Sequence, residues 1–322
     1  MVCLKDPLIQ QVCELYNQIS KLQNLNPSKE VNSLFTQLVD ACIPPYPIDV
    51  TKLCTKIQCI RTNLIQLCGQ SESLLEKHYS TILGSLEYPL HHLQLFPYYS
   101  NYLKLSKLEF DLVSQHALNP ARVAFIGSGP LPLTSIVLAT HHLTSTVFHN
   151  YDIDESANSL ASRLVESDPD LSKRMIFHTK DVMNMSGPEL GEYDVVFLAA
   201  LVGMDMEQKM LVIDHLSKNM TPGAILMLRS AHGARAFLYP MVEPQHLQGF
   251  EVVSVFHPTD EVINSVVIAR KCAIPAVHSI DHQGFGSVPL MKCSKCCEIR
   301  SFNPLMSPMN MIEELGFEDQ RF

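Results

Sequence analysis

Residues 123–135 read VAFIGSGPLPLTS, and this stretch decides the fold. Its apolar start, residues 123–126, is typical of a buried strand, and the run stops at a turn made of Gly127, Ser128 and Gly129. A helical pattern of apolar residues follows from Ile136 onward. The stretch therefore predicts a strand, a glycine turn and a helix. Because glycine has no Cβ and readily takes positive φ, a nucleoside can lie directly against such a turn.

The residues after the turn indicate which nucleoside it takes. A dinucleotide site usually reads GxGxxG and points free N–H groups at a pyrophosphate, but Pro130 and Pro132 have no N–H and the third glycine is missing. This argues against NAD and FAD and favours a phosphate-free adenosine compound, S-adenosylmethionine (SAM). Asp152 lies 25 positions after Gly127, where its carboxylate can accept from both ribose hydroxyls. The alternative is a tight turn that binds nothing.

Beyond the turn, the chain alternates between strand and helix patterns. The predicted strands are residues 123–126, 146–151, 175–178, 193–199 and 224–228. Two further β-rich runs, residues 250–256 and 262–271, are separated by only five residues, too few for a crossover helix, so we expect them to pair antiparallel. An antiparallel last strand is typical of methyltransferases and not of dehydrogenases. The predicted fold is α/β, a SAM-dependent methyltransferase-like (Rossmann-type) doubly wound sheet. In that fold Asp181 accepts from the adenine amino group, and we assign Ala199 to the same site.

The residues before the sheet have helical periodicity. Apolar residues recur at spacings of three and four from Ile9 to Leu22 and from Leu53 to Leu67, and a third segment has a plausible cap at Ser71 or Ser73. A last helix is expected from Leu103 to about Gln115. We therefore predict an all-α N-terminal cap domain of four to six helices over residues 1–118, a SAM-binding domain over 119–272 and a loosely ordered tail over 273–322.

Composition narrows the partners and the compartment. The 322 residues carry a net charge of −9, with no basic stripe for nucleic acid. We expect no secretory signal and no transmembrane segment, because the start is charged and the longest apolar run is far below the ~20 residues of a spanning helix. The ten cysteines are then expected to be reduced thiols in a cytoplasmic protein. Cys293, Cys296 and Cys297 have the spacing of half a zinc knuckle, and we predict no metal site.

Long segments of the chain resemble plant nicotianamine synthases, among them LLEKHYSTILGSLE, FPYYSNYLKLSKLEFDLVSQH, VAFIGSGPLPLTSIVLA and HPTDEVINSVVIARK. The resemblance covers nearly the whole chain up to Lys271. It implies an enzyme of the EC 2.5.1 class that consumes three SAM molecules and transfers 3-amino-3-carboxypropyl groups. It further implies release of three 5'-methylthioadenosines and formation of nicotianamine, a chelator of Fe, Zn, Cu and Ni, a phytosiderophore precursor and a factor in metal homeostasis. No cofactor beyond SAM as substrate is expected.

The chemistry requires a base, because an amine must lose its proton before it attacks the Cγ of SAM. Glu76 resembles the family's active-site glutamate and Tyr102 is its expected partner; the alternatives are a solvated helix glutamate and an aromatic packing patch. We assign substrate contacts to Tyr99, Asn101, Arg229 and His232. Arg229 could instead form a salt bridge that anchors the sheet edge, and histidines such as His232 are more often packed or solvated than functional.

Two rival functions stay open from the sequence. One is a small-molecule SAM-dependent methyltransferase, and the other is a catalytically silent SAM-binding or metal-trafficking module that uses the cysteine tail. Residues 102–105, YLKL, also fit a tyrosine-based sorting pattern that the resemblance links to vesicle traffic, so vesicle association is added to the cytoplasmic prediction. The oligomeric state is left open.

Overall fold

The computed structural model describes residues 6–44, 46 and 48–273. Its helices are α1 (Pro7–Ile19), α2 (Lys29–Cys42), α3 (Thr55–Leu83), α4 (Tyr99–Val113), α5 (Leu133–Val137), α6 (Glu155–Glu166), α7 (Leu171–Arg174), α8 (Gly187–Leu190) and α9 (Met206–Asn219). Its strands are β1 (Arg122–Ile126), β2 (Val147–Asp152), β3 (Met175–Thr179), β4 (Val195–Leu198), β5 (Ile225–Ser230), β6 (Phe250–Phe256) and β7 (Ser265–Lys271). The predicted tail lies outside the described residues apart from Ala273.

The described strands form one seven-stranded sheet in the order β3-β2-β1-β4-β5-β7-β6. Strands β1 to β5 are parallel, and β7 inserts antiparallel between β5 and β6. The predicted methyltransferase-like sheet with an antiparallel last strand is therefore confirmed. Several strand bounds differ from the prediction by one to three residues: for example, β4 is shorter than residues 193–199, β5 ends at Ser230 instead of Leu228, and β7 begins at Ser265 instead of Val262.

The front half of the chain is helical, but the predicted third segment does not begin at Ser71 or Ser73. Both serines lie inside α3, a continuous helix of 29 residues. The prediction was wrong because a serine starts a new helix only where the preceding residues leave the helical conformation. Here the preceding residues, including Gly69, are helical. The missing side chain of Gly69 lets Leu201 and Met204 approach closely, since a Cβ there would lie 3.1 Å from the Met204 sulfur.

Helix α2 was not among the predicted periodic series. Ser28 caps its N-terminus, where the hydroxyl accepts from the N–H of Val31, and the helix buries Leu34, Phe35 and Leu38. These residues pack with α1 and the first half of α3 in one apolar cluster, which also contains residues of the segment after β5 such as Phe237. The helices are thereby fixed at the carboxyl end of the central strands.

Two further apolar clusters cover the two faces of the sheet. One joins the end of α3 and α4 to one face, and the other joins α9 to the opposite face. All described residues fall in one compact unit, and the predicted boundary near residue 118 stays a prediction. Among the described residues, no helix is both long and apolar enough to cross a membrane.

Candidate active site

The glycine turn has the backbone that the sequence requires. Gly127 and Gly129 take positive φ, +79° and +67°. A Cβ on Gly127 would lie 2.3 Å from Cγ2 of Val202, so the turn packs tightly against the loop after β4. The N–H of Gly129 donates to Oδ2 of Asp152 at 2.9 Å, which joins the end of β2 to the turn.

A cavity of about 1190 Å³ opens over this turn, between the helices and the carboxyl ends of the parallel strands. It exceeds the ~300–1,000 Å³ of common ligand pockets. The side chain of Ser128 is buried and its hydroxyl has no hydrogen-bond partner among the described residues, so an unsatisfied polar group lies where a ligand would pass. The predicted SAM residues that line this cavity are Gly127, Ser128, Gly129, Pro130, Asp152, Asp181 and Ala199.

Opposite the turn, α3 presents two carboxylates to the cavity, Glu72 and Glu76, which share a helix face because they are four residues apart. The hydroxyl of Tyr102 lies 3.0 Å from Oε1 of Glu76 and 3.4 Å from Oε1 of Glu72. The hydroxyl of Tyr239 donates to Oε2 of Glu72 at 2.9 Å. Two carboxylates and two phenols therefore form one hydrogen-bonded row.

The row is electrostatically strained. Desolvation raises the pKa of Glu76 well above its usual value, and the charge of Glu72 raises it further. Desolvation also raises the pKa of Glu72, although the hydroxyl of Tyr239 opposes this. The pKa of Tyr102 is raised well above its usual value by desolvation and by the charge of Glu76. The raised pKa makes each carboxylate a stronger base than an ordinary glutamate, and it keeps the Tyr102 phenol protonated as a hydrogen-bond donor.

The carboxylate of Glu76 also reaches the glycine turn. A Cβ on Gly129 would lie 2.9 Å from Oε2 of Glu76, so no side chain separates the helix carboxylate from the turn. The Glu76 carboxylate therefore lies against the backbone of the turn, and both line the same cavity.

Arg229 occupies the floor of the cavity. Its guanidinium forks onto the buried Glu109, with Nε 2.6 Å from Oε1 and the second nitrogen 3.0 Å from Oε2, and it donates to the hydroxyl of Thr134 at 2.6 Å. Arg229 therefore forms the salt bridge, from β5 to α4, and it also lines the cavity, while its contact with substrate stays a prediction.

Comparison with known proteins identifies the family. The sequence profile described as "Nicotianamine synthase protein" matches residues 3–276. Nicotianamine synthase of Solanum lycopersicum is 61% identical over 321 residues, covering 99% of this chain and 100% of that protein, and nicotianamine synthase 3 of Arabidopsis thaliana is 59% identical over 326 residues, covering 100% and 99%. The chain belongs to the nicotianamine synthase family.

Solved structures bear out the fold. A crystal structure of MtNAS in complex with MTA and tNA matches with a TM-score of 0.70 at 21% identity, covering 83% of this chain and 99% of that one. A mutant of MtNAS in complex with S-adenosylmethionine matches with a TM-score of 0.68, covering 82% and 98%. The family profile and the curated relatives confirm the predicted nicotianamine synthase resemblance over nearly the whole chain, and these structures confirm the fold.

Three predicted substrate contacts do not line the cavity in this nicotianamine synthase family member. Tyr99 packs half-buried against the apolar cluster of the sheet. The side chain of Asn101 donates to the carbonyl of Glu261 and lines a separate, smaller cavity. His232 is exposed and stacks on His257 with ring centroids 4.1 Å apart. Each lies within three residues of Tyr102 or Arg229, which do line the cavity, but closeness in sequence did not bring these side chains to it.

The sequence analysis missed Glu72 and Tyr239. The spacing of four residues from Glu76 was a usable signal for Glu72, because it places both carboxylates on one helix face. Nothing local marks Tyr239, which reaches Glu72 across 167 positions of sequence. Among the described residues, no group of three or more His, Cys, Asp or Glu side chains could hold a metal ion, and Cys293, Cys296 and Cys297 lie outside the described residues.

The YLKL pattern lies within α4 and is not displayed as an extended peptide. Tyr102 faces the cavity and Leu105 is buried in the apolar cluster. Both side chains that a sorting receptor would read are therefore held inside the fold.

Proposed function

We propose that this chain synthesises nicotianamine by condensing three SAM molecules through transfer of their 3-amino-3-carboxypropyl groups, with release of three 5'-methylthioadenosines. One observation carries the proposal: Glu76, hydrogen-bonded to Tyr102, reaches the glycine turn within one cavity, with its carboxylate 2.9 Å from where a Cβ of Gly129 would be. Membership of the nicotianamine synthase family supports the same reaction. The proposal needs no cofactor beyond SAM as substrate.

We assign SAM to the turn side of the cavity. Asp152 and Asp181 would hold the ribose hydroxyls and the adenine amino group, because they end successive strands at that edge of the sheet. The unpartnered hydroxyl of Ser128 and the bare backbone of Gly127 and Gly129 would face the amino acid part. MtNAS, which shares the fold, has been crystallised with S-adenosylmethionine.

We assign Glu76 as the base. In each transfer an α-amino nitrogen loses a proton and forms a bond to Cγ, while the C–S bond breaks and its electron pair stays on sulfur as methylthioadenosine. A carboxylate whose pKa is raised can take a proton from an amine more readily than an ordinary glutamate. Tyr102, which donates to Glu76 at 3.0 Å, would hold the carboxylate toward the turn.

A product analysis tests the proposal. Purified protein incubated with SAM should yield methylthioadenosine and nicotianamine by mass spectrometry, whereas S-adenosylhomocysteine would contradict it and indicate a methyltransferase. Glu76→Gln should retain SAM binding and lose about 10²- to 10⁴-fold in methylthioadenosine formation. Glu166→Gln, an exposed glutamate at the end of α6, serves as the matched control and should leave the rate unchanged.

The compartment stays a prediction. A cytoplasmic protein associated with vesicles is what the sequence suggests, but the burial of Tyr102 and Leu105 gives the sorting pattern no support as the means of association.

A further inference from the structure

The second carboxylate, Glu72, extends the site away from the glycine turn. Starting at Glu76, the hydrogen-bonded row runs through the hydroxyl of Tyr102 at 3.0 Å, then to Glu72 at 3.4 Å, and ends at the hydroxyl of Tyr239 at 2.9 Å. The row starts at the turn and ends on the opposite wall of the cavity. Nothing in the assignment of Glu76 as base explains why it continues past Tyr102.

The stoichiometry of the reaction makes such an extension useful. Each sulfonium loses its positive charge when it becomes a thioether, so charge balance requires one proton to leave for every methylthioadenosine formed. Three transfers therefore deliver three protons to the base for each product. A carboxylate in a cavity that keeps its first proton cannot act in the second transfer.

We propose that Glu72 regenerates the carboxylate of Glu76 between transfers by accepting its proton through the hydroxyl of Tyr102. The proton on Glu76 passes to the oxygen of Tyr102 as the proton of that hydroxyl passes to Glu72, so Tyr102 is unchanged and Glu76 is again a carboxylate. No oxidant or further reactant is needed. The inference rests on the proposed function, since it assumes repeated proton uptake at Glu76.

A second, smaller cavity of about 100 Å³ lies on the far side of this row. Glu72, Tyr102 and Tyr239 line both cavities and form the wall between them. The smaller cavity has room for several water molecules, since a water needs about 10–15 Å³ of such volume. Asn264, which is 7% exposed, also lines both cavities, and within the described part of the chain its amide nitrogen has no hydrogen-bond partner. Water in the smaller cavity would satisfy this nitrogen. Protons on Glu72 would leave through this water.

The exit passes Asn101, which also lines the smaller cavity. Its side chain is half-buried and donates to the carbonyl of Glu261, on the surface loop before β7. The smaller cavity therefore reaches from Glu72 to the outer layer of the protein.

The charges around the pair make the step from Glu76 to Glu72 uphill, and loss of the proton from Glu72 to water completes it. Desolvation and the charge of Glu72 hold the pKa of Glu76 well above its usual value, so Glu76 is the stronger base. Desolvation also raises the pKa of Glu72, but the hydrogen bond from Tyr239 lowers it at Glu72 alone, whereas Tyr102 and Arg229 lower the pKa of both carboxyls. Glu72 therefore releases its proton to water more readily than Glu76 does.

The other groups that face the pair do not reverse the order. The charge of Asp152 raises the pKa of Glu76, which strengthens it as a base. Cys68, one turn before Glu72 on α3, has a thiol whose pKa is raised by burial, so it stays neutral and adds no charge.

Rapid-quench measurement of methylthioadenosine in Glu72→Gln tests the proposal, because glutamine keeps the shape of the side chain but cannot take the proton. We expect a first burst of methylthioadenosine that is retained while the steady-state rate falls at least about tenfold, with a larger solvent isotope effect in D2O. Glu76→Gln should lose the burst itself, and the exposed Glu166→Gln should match the wild type in both phases.

Two results would overturn the proposal: burst and steady state lowered by the same factor, or neither lowered. Thermal unfolding and SAM binding establish that the variant is folded. If Glu72→Gln does not fold, Tyr239→Phe is the substitute, because it removes the hydroxyl at the far end of the row. It should also keep the burst and lower the steady-state rate, and equal effects on the burst and the steady state would refute the relay. A wild type that makes no methylthioadenosine would refute the proposed function instead, so the two failures are distinguishable.

Discussion

Replacing Gly129 with alanine isolates the contact between helix and turn. The added Cβ would lie 2.9 Å from Oε2 of Glu76, and an ordinary contact begins at 3.4 Å, so the carboxylate oxygen must retreat by about 0.5 Å. Since a misplacement of 1 Å can cost ~10²-fold in rate, a displacement of half that size should cost about tenfold. The φ of +67° adds backbone strain of about 1–2 kcal/mol.

Gly223 provides the matched control. It also has positive φ, +91°, but no atom of the residues that the structure describes lies within 4 Å of a Cβ placed there, its chain neighbours aside. Gly223→Ala should therefore lose a similar free energy of unfolding in urea and keep its rate, whereas Gly129→Ala should lose both. The assay is methylthioadenosine release at saturating SAM, with unfolding measured on the same preparations. If the two variants lose equal activity, or if Gly129→Ala loses none, Glu76 is not the group that the turn positions.

Three further outcomes follow from buried charge. Arg229→Met should lower the free energy of unfolding by about 3–5 kcal/mol because it leaves Glu109 buried without its partner, and adding Glu109→Leu should recover part of the loss; full stability in the single variant would contradict the pairing. The pKa of Glu72 is raised in the folded chain, so the ionised carboxylate destabilises the fold at high pH. Glu72→Gln should therefore raise Tm at pH 8, and this increase should become smaller toward pH 4. Burial lowers the pKa of Lys209 to about 7, so the folded chain binds one proton fewer than the unfolded chain between pH 7 and 10. Over that range the free energy of unfolding of wild type, relative to that of Lys209→Met, should increase by up to about 1.4 kcal/mol per pH unit. If the two free energies change in parallel with pH, the pKa of Lys209 is not lowered.

Much of the fold could be read from the sequence because its decisive features are local. Apolar runs bounded by Gly and Pro predicted the strands, and the five residues between residues 250–256 and 262–271 predicted the antiparallel pair. The glycine turn could be predicted equally well, because few residues other than glycine readily take the positive φ of Gly127 and Gly129.

The errors and omissions concern relations that local pattern does not encode. Whether Ser71 caps a helix or lies inside one depends on whether the chain before it is held helical by packing, which here is done by the apolar cluster of α1 to α3. The row of Glu76, Tyr102, Glu72 and Tyr239 joins three distant segments, and Tyr239 comes from a loop with no periodicity. Tyr99 shows the converse, because its position beside functional residues in sequence gave it no place in the cavity.

The continuity of α3 has a consequence for insertions and deletions. Its first half packs in the core through Ile57, Ile60 and Leu64, and its second half carries Glu72 and Glu76. Each residue turns a helix by about 100°, so one residue gained or lost between these halves would swing both carboxylates away from the tyrosines while the core stayed in register. Length in this segment is thus fixed by geometry, and changes of length belong in the loops on either side of it.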